Sequence, residues 1–352
     1  MAIKVERFGE TPDGKQVDLY TLTNENGVSA SFTNLGGTWV SMLVPDKNGD
    51  MADVILGYDT VEKYLVNRPH LGAIIGRYAN RIGGAAFTLN GTRYELYANN
   101  GPNNLHSAPD LYHSRIWEVE LDESDLGSRV SFSLFSPDGD QGYPGNADIT
   151  VSYTLTPDNS VSIEYHMVSD ADTVANFTNH CYFNLAGQGS GSVLDQQVWI
   201  DADYFTPADE VSIPYGTVLP VKDTPMDFTV KKAIGRDIGA EYDQLILGKG
   251  YDHNWVLNHK AGEVALCAKA YDPSTGRIME VYTDLPGMQF YTANFLTGEV
   301  PGKEGAIYGP RRAYCFETQY YPDAVNKPQF PSPVLKAGEE YHTTTIYKFM
   351  RE

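Results

Sequence analysis

Val151-Ser-Tyr-Thr-Leu-Thr-Pro-Asp-Asn-Ser-Val-Ser-Ile-Glu-Tyr165 decides the fold class. Positions 151, 153 and 155 carry Val, Tyr and Leu, whereas 152 and 154 carry Ser and Thr; Val161, Ile163 and Tyr165 repeat the alternation. A period of two turns one face of a strand to the core and the other to water. Thr156-Pro-Asp-Asn-Ser160, between the two runs, consists of turn-forming residue types. The stretch therefore predicts an antiparallel hairpin with one buried face. Val130-Ser-Phe-Ser-Leu-Phe135 alternates in the same way. Turn signals recur at Pro12-Asp-Gly14, Asn26-Gly27, Lys47-Asn-Gly-Asp50, Asn90-Gly91 and Pro137-Asp-Gly139. Helical signals are few: Asp59-Thr-Val-Glu62 predicts a cap for a short helix through Leu65, and Lys231 to Ile238 predicts a second helical turn. No fixed-period repeat and no linker-like stretch interrupts the chain, so residues 1–352 are expected to form a single all-β domain.

Composition narrows the function. Of 352 residues 41% are hydrophobic, enough for a large core, which excludes a disordered chain. Tyr contributes 24 of the aromatic residues, and its ring and hydroxyl suit sugar-like ligands. The 26 basic and 46 acidic residues leave a net charge of −20, which repels phosphate backbones and anionic membranes. Neither nucleic acid nor membrane is an expected partner. Cys181, Cys267 and Cys315 are widely spaced, without a CxxC pair, as expected of reduced thiols in a cytoplasm. The first seven residues lack the apolar core of a secretory leader, and no run approaches the roughly 18 apolar residues of a membrane span.

Several polar residues are candidates for chemistry. In Tyr314-Cys-Phe-Glu-Thr-Gln319 the strand period places Cys315, Glu317 and Gln319 on one face and Tyr314, Phe316 and Thr318 on the other. Glu317 is then either a part-buried carboxyl tuned toward neutral pH, as a general base requires, or an edge-strand residue facing water. His180, among Asn179, Asn184 and aromatics, is either a satisfied core group or a proton donor. His106 follows two asparagines in a polar loop; Asp252-His253 precedes Asn254-Trp255; Arg77 and Arg81 lie four apart, the spacing of a solvated helical face or of a loop. His106, His180, Asp252 and Glu317 are metal-ligating types, but no HxH, HExxH or CxxC pairing accompanies them, so no metal is expected. The Ser136–Gly145 loop carries Asp138 and Asp140, yet Gly142 and Tyr143 occupy positions where a calcium loop needs a ligand and a glycine. No G-x-S-x-G nucleophile motif occurs.

Seven strings in order carry a resemblance. They are Gly76-Arg-Tyr-Ala-Asn-Arg-Ile82, Asn104-Leu-His106, Thr178-Asn-His-Cys-Tyr-Phe-Asn-Leu-Ala-Gly187, Gly250-Tyr-Asp-His-Asn254, Pro286-Gly-Met-Gln-Phe-Tyr291, Phe316-Glu-Thr-Gln319 and Tyr321-Pro-Asp-Ala-Val-Asn-Lys-Pro-Gln-Phe-Pro331. Through them the chain resembles the aldose 1-epimerase (galactose mutarotase) family from about residue 7 to its end. The resemblance implies one large antiparallel β-sandwich with few short helices and a sugar cleft on one face. It implies an isomerase that interconverts the α and β anomers of hexoses such as galactose and glucose, with no cofactor. By motif, Glu317 is the general base and His180 the general acid; Asn80, Arg81, His106, Asp252 and Gln289 contact the sugar. Cys181, where many members carry Ser, and Tyr182 flank the acid and are expected to line the site. An ionised Glu317, kept so by Arg81, would favour a protonated His180. The partner implied is a small-molecule aldose, and the protein a monomer or homodimer. Other readings of the same residues are a hexose-6-phosphate epimerase of the same fold, which the net charge disfavours, a non-catalytic sugar-binding module, and a glycosidase built on Asp252 and Glu317.

Overall fold

Ala147–Leu155 and Ser160–Ser169 pair antiparallel, with Val151 opposite Tyr165 and Tyr153 opposite Ile163, as the alternation predicts. The connecting turn is closed by the Thr156 hydroxyl, which accepts the Ser160 N–H at 3.1 Å, and by Asn159 in the left-handed region (φ 65°). The computed structural model describes residues 2–352. Around the hairpin it builds a nine-stranded antiparallel sheet. Gly127–Ser136 and then Glu118–Ser124 extend it on one side. On the other side Glu340–Arg351 inserts next to Ser160–Ser169, followed by Arg277–Thr283, Ala265–Tyr271, Gln197–Ile200 and Lys232–Ala233. Inward residues of the hairpin are buried, whereas the outward face carries paired hydroxyls: Ser131 with Ser152 at 2.8 Å and Ser133 with Thr150 at 3.0 Å.

Two five-stranded antiparallel sheets complete the sandwich. One runs from Ala2–Glu10 through Gln16–Thr23, Ser29–Thr33 and Thr38–Pro45 to Met51–Asp53. The other has the order Leu219–Pro220, Tyr204–Thr206, Asp252–Val256, Gly287–Tyr291, Cys315–Gln319. Residues of all three sheets share one apolar core. From the first, Phe32 lies 4.4 Å from Tyr153 and Trp39 lies 5.8 Å from Tyr347, ring centre to ring centre. From the second, Trp255, Phe290 and Phe316 pack inward, with Phe290 and Phe316 5.2 Å apart. The Tyr347 hydroxyl donates to the Phe316 carbonyl at 2.7 Å and thereby pins the Cys315–Gln319 strand to the large sheet.

Helix is sparse, as expected: the α-helices are Val61–Leu65 and Asp243–Gly248. The first is capped by Thr60, one residue later than the Asp59-to-Glu62 pattern suggests; its hydroxyl accepts the Lys63 N–H. Within Lys231 to Ile238 the chain makes a strand, Lys232–Ala233, and then a single 3₁₀ turn, Ile234–Arg236. No helix among the described residues is long and apolar enough to cross a membrane. In the Ser136–Gly145 loop Asp140 pairs with Arg115 at 2.8 Å and accepts from Ser136 at 2.6 Å, and Asp138 accepts the Gly145 N–H. Arg77 is fully buried and donates to the Pro144 and Gly145 carbonyls and the Ser136 hydroxyl, so it is a tie for this loop and not the solvated residue its spacing from Arg81 suggests.

Tyr347→Phe keeps the ring packing and leaves the Phe316 carbonyl without its donor. A buried orphaned acceptor costs about 1–3 kcal/mol. A urea titration is expected to show a lower midpoint at unchanged slope; an unchanged midpoint would mean that the bond does not hold the strand.

Candidate active site

The strand Cys315–Gln319 turns Phe316 to the central core and Glu317 to a cleft of about 760 Å³, with Cys315 and Gln319 fully buried on the Glu317 side of the strand. Register extends the polar row across three strands: Asn254 is opposite Gln289, and Gln289 opposite Glu317. Parity also sends Asp252 toward the cleft and His253 toward the interior. Behind the row the Gln319 amide donates at 3.2 Å to both Asn254 and Gln289, which turns the Gln289 amide nitrogen toward Asp252 at 2.8 Å. Asn254 and Gln319 are thus supports that strand parity alone could have identified.

His180 enters from a different element. Thr178–His180 pairs with Ala73–Ile75 and sets the imidazole Nε2 3.7 Å from Glu317 Oε2. The ring stacks on Tyr182, with centres 5.0 Å apart, and Tyr182 is held by a 2.9 Å bond to the Pro69 carbonyl. Cys315 Sγ lies 3.5 Å from His180 Nδ1. Cys181, between His180 and Tyr182, faces the opposite way: it packs in the central core and does not line the cleft, contrary to the expectation that it would.

Asn80 and His106 lock each other. The His106 N–H donates to the Asn80 carbonyl, and the Asn80 N–H donates to His106 Nδ1, both at 3.1 Å. Both residues have left-handed backbones, φ 63° and 57°. Such conformations are uncommon for residues with a Cβ and tend to be kept where a site needs them. Arg81, the next residue, bonds Asn100 at 2.9 Å and faces the cleft. Two histidines that the sequence reading did not single out complete the group. His70 lines the cleft, and its Nδ1 lies 3.4 Å from that of His113.

Burial sets the ionisation. Glu317, 2% exposed, has its carboxyl pushed well above the ordinary range by burial and by Asp252, against the pull of Arg81. His180 is pushed down to about 3, chiefly by burial. His106 and His70 are likewise lowered, by burial and by the neighbouring imidazoles. Asp252 is raised by burial, which Arg81 and the Gln289 bond oppose. Burial thus pushes both members of the pair toward their neutral forms, Glu317 protonated and His180 unprotonated, and opposes the attraction that a carboxylate–imidazolium pair would gain across 3.7 Å. Glu317 Oε2 has no hydrogen-bond partner.

His106, His180 and Glu317 offer donor atoms within 4.8 Å of one another, a grouping that suggests a metal. The tautomer opposes it. Because Nδ1 of His106 accepts from a backbone N–H, the ring hydrogen of the neutral imidazole sits on Nε2, and a metal ligand needs a lone pair there. Nor does the site resemble a glycosidase's opposed carboxylates, since Asp252 and Glu317 project from one face of one sheet. Arg68 and Arg81 share the cleft lining with Glu299 and Asp252.

Comparison with known proteins points to one family. The sequence profile of the aldose 1-epimerase family matches residues 18–348. The galactose mutarotase of Bos taurus is 42% identical over 343 residues, 97% of each chain. Among solved structures, an aldose epimerase homologue from C. elegans superposes with a TM-score of 0.85 at 30% identity, covering 94% of this chain and 98% of that one. A galactose 1-epimerase from Lactobacillus acidophilus gives 0.88 at 26% identity, covering 99% of both.

A carboxyl whose folded pKa is raised adds stability below its unfolded value and loses it as pH rises through the folded value. Glu317→Gln removes that loss. The variant is expected to melt above the parent at pH 8, with the gap closing as the pH falls toward the ordinary carboxyl range. Equal melting temperatures at pH 8 would show that Glu317 is not buried at a cost.

Proposed function

The chain belongs to the aldose 1-epimerase family, and from that premise we propose that Glu317 and His180 are the base and acid with which it interconverts the α and β anomers of hexoses such as D-galactose and D-glucose. The protein is an isomerase of aldoses. The observation that carries the role assignment is the unpartnered Glu317 oxygen facing His180 across 3.7 Å in the cleft.

The chemistry follows from one shared proton. A sugar bound with its C1 hydroxyl at Glu317 and its ring oxygen at His180 bridges the pair. Hydroxyl donors and Arg81 favour the carboxylate, so the proton resides on His180 in the reactive complex. Glu317 then takes the hydroxyl proton, the O–H electron pair becomes the carbonyl π bond, the C1–O5 bond breaks, and His180 protonates O5. The open aldehyde is left beside neutral Glu317 and neutral His180, the state that burial already favours. Ring opening thus relaxes the pair toward its preferred ionisation. Rotation about C1–C2 presents the other carbonyl face, and closure reverses both transfers. Each transfer contributes on the order of 10²–10⁴-fold.

Asn80, Arg81, His106, Asp252 and Gln289 hold the remaining hydroxyls. The fixed Nε2–H of His106 is a donor, and the Gln289–Asp252 bond presents an acceptor of set orientation. Tyr182 reads as the platform for His180 and an edge of the sugar pocket. The shared core of the three sheets supports a single domain, and the family resemblance implies a monomer or homodimer. Its three free, buried thiols suit a cytoplasmic location.

Polarimetry on freshly dissolved α-D-galactose gives the test. The protein is expected to speed relaxation to the same final rotation, and Glu317→Gln to lower kcat by about 10²-fold or more while sugar binding persists. Full turnover in the variant would remove Glu317 from the base role. The rate, corrected for the spontaneous reaction, is also expected to show no inflection at the ordinary imidazole value near 6.5. The acid limb lies lower, where a second proton reaches His180, and the alkaline limb reports loss of the proton shared with Glu317. An inflection near 6.5 that vanished in His180→Asn would contradict the buried-pair account.

A further inference from the structure

Three imidazoles, those of His70, His106 and His180, line the cleft with His113 packed behind His70, and the proposed reaction uses only His106 and His180. His70 comes from the loop between Val61–Leu65 and Ala73–Ile75, separate from every strand of the acid–base row. Its ring centre lies 5.1 Å from that of His106, 5.0 Å from His113 and 5.8 Å from His180. The residue is held against its own backbone preference, at φ 60°. The clamp is visible: the His70 N–H donates to the Asn67 carbonyl at 3.1 Å, the Asn67 side chain bonds both backbone groups of Leu71, and Tyr182 bonds the Pro69 carbonyl. A left-handed backbone is unfavourable for a residue with a Cβ, and such strain persists where the surrounding structure imposes it.

The polar atoms of His70 are divided. Its Nδ1 meets His113 Nδ1 at 3.4 Å, so in the neutral pair one ring donates and the other accepts. Nε2 remains as the atom available to a ligand. It is a donor or an acceptor according to which ring carries the Nδ1 hydrogen, and a sugar hydroxyl matches either state.

We propose that His70, oriented by His113, is a sugar-contacting residue for the exocyclic hydroxymethyl group that hexoses carry and pentopyranoses lack. The placement rests on the reading above, in which O1 meets Glu317 and O5 meets His180. The ring atom next to O5 on the side away from C1 is C5, which bears the hydroxymethyl group. His70 stands beside His180 and His106 but outside the trio that closes around Glu317. His113 is a positioning residue: it is buried and does not line the cleft.

The test compares D-galactose with L-arabinose, the same ring without the hydroxymethyl group. His70→Asn and His70→Gly both tolerate the left-handed backbone, so the fold is preserved in at least one of them. Either variant is expected to lower kcat/KM on galactose by about tenfold, chiefly through KM, and to lose at least fivefold less on arabinose. His113→Phe is expected to reproduce the galactose-selective loss, and His113→Asn, which restores a polar atom at the Nδ1 position, to recover most of it. Equal losses on both sugars, or none on galactose, would overturn the proposal. Absence of activity in the parent protein on both sugars would instead overturn the epimerase reading on which it stands.

Discussion

A carboxyl buried opposite an imidazole, with one oxygen left without a partner, is the constraint on which the rest of the site depends. Burial without a full set of hydrogen bonds is costly, so such a group persists only where rigid surroundings impose it. Those surroundings are identifiable here. Tyr347 ties the Cys315–Gln319 strand to the large sheet through the Phe316 carbonyl. Gln319 and Asn254 fix the amide of Gln289, and Tyr182 supports the ring of His180. The strand therefore serves two functions at alternate positions, Phe316 and Thr318 joining sheets together while Glu317 faces the ligand.

The same burial links the free protein to its reaction. Burial pushes the carboxyl up and the imidazole down, toward the neutral arrangement of the pair and away from separated charges. Ring opening as proposed ends in that arrangement. Binding must first draw the proton toward His180, and the hydroxyls of the sugar are the groups that can do so. The stability lost by burying Glu317 thereby becomes a bias toward the open-chain state, an instance of a site kept at the expense of the fold.

Much of this was legible in the chain. Alternation in Val151–Tyr165 gave the hairpin and its turn, and alternation in Tyr314–Gln319 placed Glu317 with Gln319 on one face and Phe316 on the other. What escaped is what a period cannot encode. Arg77 and Arg81 are four apart, but the left-handed Asn80 between them separates a buried tie from a cleft residue. Cys181 lies beside the acid in sequence and faces away from it in space. His70 and His113 are 43 residues apart, each in a loop, and only tertiary packing brings them into contact. Motif and spacing reveal the charges near Glu317 but not the desolvation that opposes its ionisation.

The central claim, that the free site holds its single proton on Glu317 and leaves His180 neutral, is open to direct observation. An infrared difference spectrum between the parent protein and Glu317→Gln at neutral pH reads the carboxyl itself. The account predicts that the parent shows the carbonyl stretch of a protonated carboxyl and that the variant lacks it. A carboxylate band in its place would contradict the account and restore an ionised Glu317 facing a charged His180.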